Sequence, residues 1–376
     1  MRIGIDISFW DPPNIRGIGN MTKNLVSNLE LKDDTEIYLF SNKHHKEIEI
    51  FCSDKNFKYL KIGLPFPIYE QVALPIISRF LSIDLFHFLG NTGSVLLKPA
   101  PVSLITVCDT IFWEKSFLDW ILLKRFGNAY RSIIAKLQIL KNYNYIFISH
   151  YTRSCFFEKK IRSDILEKVI YLSGELPSEF KCRNFEITQP YFLCAMGAED
   201  PRKNTSSLIK AFISASHFQE LKVGLKIFGF QDIKAFLQSE NLDLEVLSRF
   251  NITLFPFLTE EEKYSLIGSS IGFIYLSTSE GFGIPILEAQ ALGKRCLVSS
   301  TSSCKEIAGP YSITVDPINN TEIEDGIVKL INRCLEDKNN VDQKNKIKQY
   351  AEKYSWKKMA NETLSFYFKV KQWGAS

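Results

Sequence analysis

The chain of 376 residues has no C-x-x-C pair, no histidine cluster and no uncharged run long enough to cross a bilayer. Its eight cysteines (Cys52, Cys108, Cys155, Cys182, Cys194, Cys296, Cys304 and Cys334) are scattered. That spacing supports neither a metal site nor a disulfide framework. The longest uncharged run, Tyr264 to Ser279, has 16 residues and holds five serines and a threonine, too short and too polar for a membrane span. A mean hydropathy of -0.06 agrees. The opening MRIGIDISFW reads as a strand, with no charged leader, apolar core or small-residue cleavage site, so no export signal is expected. These absences predict a soluble, cytoplasmic chain with reduced thiols. Zinc-finger spacing, an aromatic-basic ribonucleoprotein motif and a basic tail are also missing, which argues against nucleic acid. No internal repeat or low-complexity tract is present.

What is there is ordinary globular composition, 45% hydrophobic and 23% charged, in a length that suggests two domains rather than one core. The net charge of +4 is unevenly placed: Trp120 to Ile170 holds ten Lys or Arg against three acids, a local +7, leaving -3 for the remainder. Within that stretch Leu122, Phe126, Tyr130, Ile133, Leu137 and Leu140 recur at spacings of three and four, while Arg125, Arg131 and Lys136 fall elsewhere on the wheel. The pattern predicts an amphipathic helix whose apolar stripe faces the core and whose basic face is outward. That face is either merely solvated or meets an anionic lipid or phosphate.

Short apolar runs alternate with helical patterns from end to end. Strands are predicted near 2–7, 36–40, 85–88, 102–107 and 145–149, then at 191–196, 224–228, 252–255, 272–276 and 295–298. Helices are predicted over 19–29, 71–80 and 119–140, and starting near Asn204, Thr259, Pro285 and Thr321. This βαβα order with apolar strands calls for parallel sheets covered on both faces. The pattern lapses between Ser173 and Pro190, which sets the expected domains at 1–185 and 186–355. A ligand is then expected in the cleft beyond the carboxyl ends of the strands.

In SEGFGIPILEA, Ser279 to Ala289, two carboxylates, Glu280 and Glu288, flank two glycines and a proline. A helix starting at Pro285 would present the backbone N–H groups of Ile286 and Leu287 at the positive end of its dipole, a main-chain anion site. Acids beside an anion site fit a ligand with phosphate in the middle and hydroxyls at both ends, which is the layout of a nucleotide sugar. The alternative is a strand-to-helix turn with solvated acids. Upstream, Arg202 and Lys203 in MGAEDPRKN sit at a helix start, where the dipole disfavours cations, unless an anionic ligand is present. In the first half, Gly17 and Gly19 follow a strand at a helix start. The third glycine of a dinucleotide fingerprint is missing, since Thr22 stands there.

With GFGIPILE between Glu280 and Glu288, PRKN at 201–204, RGIG at 16–19 and YSWKKMA at 354–360, the chain resembles the retaining GT-B glycosyltransferases of family 4, a group that includes bacterial mannosyl- and glucosyltransferases. The likeness implies two Rossmann-like, doubly wound domains facing across a cleft. The first would hold the acceptor, the second the sugar-nucleotide donor, and a last helix, about 356–376, would cross back to the first. It implies a GDP- or UDP-sugar as substrate and a glycan or polyprenyl-linked acceptor at the inner membrane face, where the Trp120 to Ile170 region could dock. No cofactor and no metal are implied, with Arg202 and Lys203 acting on the departing diphosphate. Glu280 would lie by the donor sugar and Glu288 would hold the ribose. Backbone groups of Phe282, Gly283 and Ile284 would meet sugar hydroxyls, and those of Ile286 and Leu287 the phosphates. Gly17 and Gly19 would let a loop close over the donor. Gly229 and Phe257 match positions near the nucleotide, although Phe257 reads equally as a core aromatic.

The chain departs from the family where relatives commonly carry His-Asp: here Cys108-Asp109 ends a strand. A thiol cannot make the hydrogen bonds of an imidazole. The departure implies altered donor preference, slower chemistry or a degenerate subunit. Besides hexose transfer in surface-polysaccharide synthesis, with mannose favoured, two readings therefore stand: a nucleotide-sugar epimerase, and a non-catalytic subunit that binds nucleotide sugar. A hydrolase is disfavoured, because both acids come from one short segment rather than from opposite sides of a scissile bond.

Overall fold

Runs such as RIGID and VSLITV, buried along nearly their whole length, form strands that must be covered on both faces. The computed structural model describes residues 1–12, 17–31, 34–111, 126–158, 165–180, 189–195, 200–219 and 222–374. It divides into two units, Met1–Leu172 with Trp356–Ser376, and Ser173–Ser355.

In the first unit seven strands, β1 (Arg2–Asp6), β2 (Glu36–Ser41), β3 (Lys58–Lys61), β4 (Leu85–Phe88), β5 (Val102–Val107), β6 (Asn144–Phe147) and β7 (Glu167–Val169), run parallel in the order β3-β2-β1-β4-β5-β6-β7. In the second, β8 (Tyr191–Ala195), β9 (Gly224–Phe230), β10 (Ile252–Pro256), β11 (Gly272–Tyr275), β12 (Cys296–Ser299) and β13 (Ile313–Val315) are ordered β10-β9-β8-β11-β12-β13, again parallel. These are two doubly wound α/β sheets. In each, strand order reverses beside the first strand, and that reversal opens a crevice at the carboxyl ends of the two central strands.

Three short strands were not predicted from the sequence: β3 (KYLK), β7 (EKV) and β13 (ITV). All three are sheet edges, where strands are short, and β3 and β7 also carry charge. The helix expected at 71–80 begins earlier, at Phe66, and passes through a π turn at Tyr69–Ala73 before Leu74–Phe80.

The helix Phe126–Gln138 corrects the amphipathic reading. Its buried residues are Ala129, Ser132, Ile134, Ala135 and Gln138, whereas Phe126, Ile133, Leu137 and Leu140 are exposed. Arg131, expected outward, lies with its guanidinium 4.9 Å from the Phe9 ring centre and 5.5 Å from that of Phe66. The inward face sets Ala129, Ile134 and Ala135 beside a buried polar network: Gln138 accepts from the Gly93 N–H at 3.1 Å, and the Tyr130 hydroxyl donates to Glu70 at 2.5 Å. Residues 112–125, with Leu122 and Arg125, lie outside the described residues.

The division at Leu172/Ser173 precedes the expected 185/186 boundary because residues 173–180 pack on the second unit. Ser173 Oγ donates to the Tyr354 carbonyl at 2.7 Å, and Phe180 meets the Tyr264 ring edge-on at 5.4 Å. Gly174 lies so close to the helix Ile284–Ala291 that an added Cβ would stand 2.5 Å from the Glu288 nitrogen. The helix Trp356–Trp373 belongs to the first unit. Its Tyr367 hydroxyl bonds buried His87 Nδ1 at 2.6 Å, with Thr106 Oγ1 2.7 Å from Nε2, and Lys371 pairs with Asp84 at 2.7 Å.

Candidate active site

The second unit's crevice lies between β8 and β11. Lys203, in the short 3-10 turn Pro201–Lys203 after β8, and Glu280, in the loop after β11, are brought together there. Lys203 Nζ lies 2.6 Å from Glu280 Oε1 and 3.1 Å from the Tyr275 hydroxyl, which itself donates to the same carboxylate oxygen at 3.0 Å. Burial, reinforced by the charge of Glu280, pushes the Tyr275 phenol well above its usual range, so it remains a neutral donor. Sequence reading missed Tyr275, because nothing in GFIY marks which strand residue will point at the loop.

The loop that carries Glu280 is built from side chains to main chain. The Arg202 carbonyl accepts from Ser277 Oγ at 2.9 Å and from the Thr278 N–H at 2.7 Å. Ser303 Oγ donates to the carbonyls of Glu280 at 2.8 Å and Phe282 at 3.0 Å. The PRK turn and the loop after β11 are thereby locked to each other. Arg202 is already engaged by Asp200, with Nε at 3.1 Å and Nη2 at 2.7 Å from its carboxylate. Burial alone would raise the Asp200 carboxyl, but the Arg202 hydrogen bonds and charge hold it below the usual carboxylate range. Met196 to Glu199 lie outside the described residues.

Glu288 is 3% exposed, and its Oε1 accepts from Lys263 Nζ at 2.6 Å and from the Tyr264 hydroxyl at 3.2 Å. Burial, then Glu288, pushes the Tyr264 phenol up. Lys263 and Tyr264 were also missed. Their signal was present in LTEEEKY: Thr259 and Glu262 form a capping box that fixes where the helix Glu260–Ser269 starts. The partnership with Glu288, however, joins segments 25 residues apart.

Two details of the expected anion site change. The helix begins at Ile284, with Gly283 as N-cap at φ 97 and Pro285 inside the first turn rather than opening it. The Ile286 N–H is not an unpaired donor: it bonds the Gly283 carbonyl at 3.0 Å. Ile286 and Leu287 are both 0% exposed, and Gly174 packs against Leu287. Near the carboxyl end of β9, Gly229, φ 107, sits where the β9–β10 register shifts. Phe257, just past β10, is 43% exposed, which removes its reading as a core aromatic.

In the first unit Gly17 caps the helix Ile18–Ser27 at φ 45, and Gly19 is buried in its first turn. Arg16 lies outside the described residues. Cys108 is buried, its N–H bonded to Asn91 Oδ1 and its Sγ 3.8 Å from the Leu89 carbonyl and 3.9 Å from Met21 Sδ. Burial pushes its thiol well above the usual range, so this cysteine is no thiolate nucleophile. Asp109 accepts the Ile111 N–H at 3.2 Å, closing a turn.

Comparison with known proteins places this site in a family domain. Residues 178–354 match the model for Glycosyl transferases group 1, so that domain is present. Over 187 residues the chain is 23% identical to the O-antigen chain mannosyltransferase B of Escherichia coli, covering 49% of this chain and 48% of that one. The chain spans about half, or less, of the length of the curated relatives it matches. Among solved structures, Anabaena Alr3699/HepE in complex with UDP and glucose aligns with a TM-score of 0.66 at 14% identity, covering 97% of this chain and 99% of that one. WaaG, a glycosyltransferase involved in lipopolysaccharide biosynthesis, aligns with a TM-score of 0.68 at 12% identity and the same coverages, 97% and 99%. The two parallel-sheet domains are of the GT-B kind.

Proposed function

We propose that this chain, with a Glycosyl transferases group 1 domain over residues 178–354, is a retaining glycosyltransferase of family 4. It moves a hexose, with mannose favoured, from a GDP- or UDP-sugar to a glycan or polyprenyl-linked acceptor at the cytoplasmic face of a bacterial membrane. The observation that carries the reading is the Lys203–Glu280–Tyr275 cluster at the point where strand order reverses. A cation, an acid and a neutral phenol within hydrogen-bond reach of one another suit a ligand that is anionic on one side and polyhydroxylic on the other. The mannosyltransferase relative favours mannose, and WaaG favours a role in surface polysaccharide. The HepE complex, which holds UDP and glucose, favours a nucleotide-sugar donor.

In this reading Lys203 and Arg202 meet the diphosphate, Glu280 and the main chain of Phe282, Gly283 and Ile284 meet the sugar, and Glu288 meets the ribose. The bond from the anomeric carbon to the phosphate oxygen breaks, and the electron pair leaves with the nucleoside diphosphate. The acceptor oxygen bonds the same carbon on the face just vacated and passes its proton to the departing phosphate. Charge developing on the leaving group is stabilised by the two cations, and no step is routed through a metal.

The test is a time-resolved assay with GDP- and UDP-hexoses, with and without glycan and polyprenyl-linked acceptors. The reading expects transfer with retained anomeric configuration, lowered by on the order of 10² in Lys203→Ala. Binding without turnover would favour a subunit that only holds the donor, a reading to which buried Cys108 lends weight. Release of free sugar and nucleoside diphosphate regardless of acceptor would favour the epimerase.

A further inference from the structure

The first unit has a crevice of its own, where β1 pairs with β4 and strand order reverses. Asp6, the last residue of β1, stands there and is 2% exposed. Its Oδ1 takes three hydrogen bonds, from the Ser8 N–H at 3.1 Å, Ser8 Oγ at 2.6 Å and the Tyr69 hydroxyl at 2.9 Å. Oδ2 meets no donor among the described residues, yet it is not one of the buried unpaired atoms, so it opens to solvent. Arg131 has the opposite shortage. Its guanidinium lies over the rings of Phe9 and Phe66, at 4.9 and 5.5 Å from their centres, and makes no hydrogen bond or ion pair among the described residues. Rings that hold a planar cation by its faces leave the N–H edge free.

Printed contacts join the two groups into one neighbourhood. Phe9 packs on Gly90, just past β4, where an added Cβ would stand 1.9 Å from the ring. Phe66 meets the Phe9 ring edge-on at 6.1 Å and the Tyr69 ring at 6.2 Å, and Asp6 and Arg131 feel each other's charge. They still do not form an ion pair. The rings hold the guanidinium, while Ser8 and Tyr69 hold the carboxylate. Ser8, Phe9, Phe66 and Arg131 are each partly exposed, so these groups reach the surface.

A carboxylate oxygen without a donor, near a guanidinium without an acceptor, fits a ligand that both donates and accepts. Hydroxyls do both. An oxyanion would serve the arginine alone, and the charge balance opposes it: Glu70, Asp109 and Asp6 all act on Arg131, so one cation faces three acids. We propose that this crevice binds a neutral polyhydroxyl group, one hydroxyl donating to Asp6 Oδ2 and another accepting from the N–H edge of Arg131. The inference rests on the proposed function, in which that group is the sugar of the acceptor. The acceptor then presents an uncharged sugar here, and the phosphate of a polyprenyl carrier lies elsewhere.

The test is saturation-transfer NMR of the full chain, without donor, against the methyl glycosides of mannose, glucose, galactose and N-acetylglucosamine, with the 6-phosphate of each glycoside as the charged probe. At least one glycoside is expected to bind, and more tightly than its 6-phosphate. Asp6→Asn keeps the shape and the Oδ1 bonds but turns the acceptor at Oδ2 into a donor. Arg131→Lys keeps the charge but loses the planar fork. Each should weaken glycoside binding by about fivefold or more, with circular dichroism melts checking the fold. The wild-type comparison of glycoside with 6-phosphate decides even where a variant does not fold. Lys203→Ala, which alters the second unit's crevice, should leave glycoside binding as in wild type. Four results would overturn the proposal: no glycoside binds, a 6-phosphate binds as tightly or more tightly, both folded variants bind normally, or binding is lost with Lys203. Glycoside binding without any transfer would remove the proposed function and leave this site, whereas transfer without glycoside binding would do the opposite.

Discussion

At the scale of single residues, the E-x7-E spacing was legible as two acids beside a turn, but the groups that hold those acids were not. Tyr275, Lys263 and Tyr264 reach Glu280 and Glu288 through the folded sheet, and no local pattern encodes such partners. Lys203→Ala is expected to lower turnover by on the order of 10² with donor binding less affected, as loss of a charge-stabilising group does; steady-state kinetics with varied donor separate the two. Lys263→Met leaves the Glu288 carboxylate buried with Tyr264 as its one side-chain partner among the described residues, a change expected to cost about 3 kcal/mol in denaturant unfolding and to raise KM for the donor. Cys108 should resist iodoacetamide in the native protein at pH 8 and react once the protein is unfolded. Its thiol is enclosed by Met21 and Leu89 and shifted upward by burial, which depletes thiolate; peptide mass spectrometry reads the outcome.

At the scale of elements, hydrophobic periodicity placed the helices and central strands yet failed in two informative ways. It found the stripe Phe126, Ile133, Leu137 and Leu140 but assigned it to the core, because spacing reveals that a helix has two faces and not which of them meets the sheet. Here the inward side is shared by Ala129, Ile134 and Ala135 and a hydrogen-bonded set around Glu70, Gln71, Tyr130 and Gln138, and Phe126, Ile133, Leu137 and Leu140 are left outside. It also missed β3, β7 and β13, edge strands of only three or four residues, too short for a period to show. Gly174 shows how tightly one element can depend on another. An alanine there would press its methyl into the main chain at Glu288, so Gly174→Ala should destabilise the second unit by about 2 kcal/mol. Hydrogen exchange should place the loss around residues 284–291 rather than in the first unit.

For the whole molecule, the βαβα order made two parallel sheets readable, whereas the chain's return to the first unit through Trp356–Trp373 rests on contacts between distant segments. His87 anchors that return. Burial lowers its pKa to about 3, so the folded state keeps it neutral while an unfolded chain protonates it below about 6.5. Stability tied to His87 is thus complete above pH 6.5 and is lost on acidification, by about 1.4 kcal/mol per pH unit between the two values. Buried Asp6 and Glu70, both raised by burial, act in the opposite sense. The effect should therefore be read as the difference between wild type and His87→Gln in melts from pH 7 to pH 5. A difference that does not change with pH would reject a neutral buried imidazole. The ion pairs of the crevice carry one more consequence. Arg202 and Lys203 already have counter-ions in Asp200 and Glu280, so an arriving dianion must compete for cations that are electrically satisfied. A bare inorganic diphosphate would strand two carboxylates, whereas a ligand that also brings hydroxyl donors would give them new partners. On the proposed function, this swap of partners would let the crevice favour an intact sugar nucleotide over its phosphate fragment.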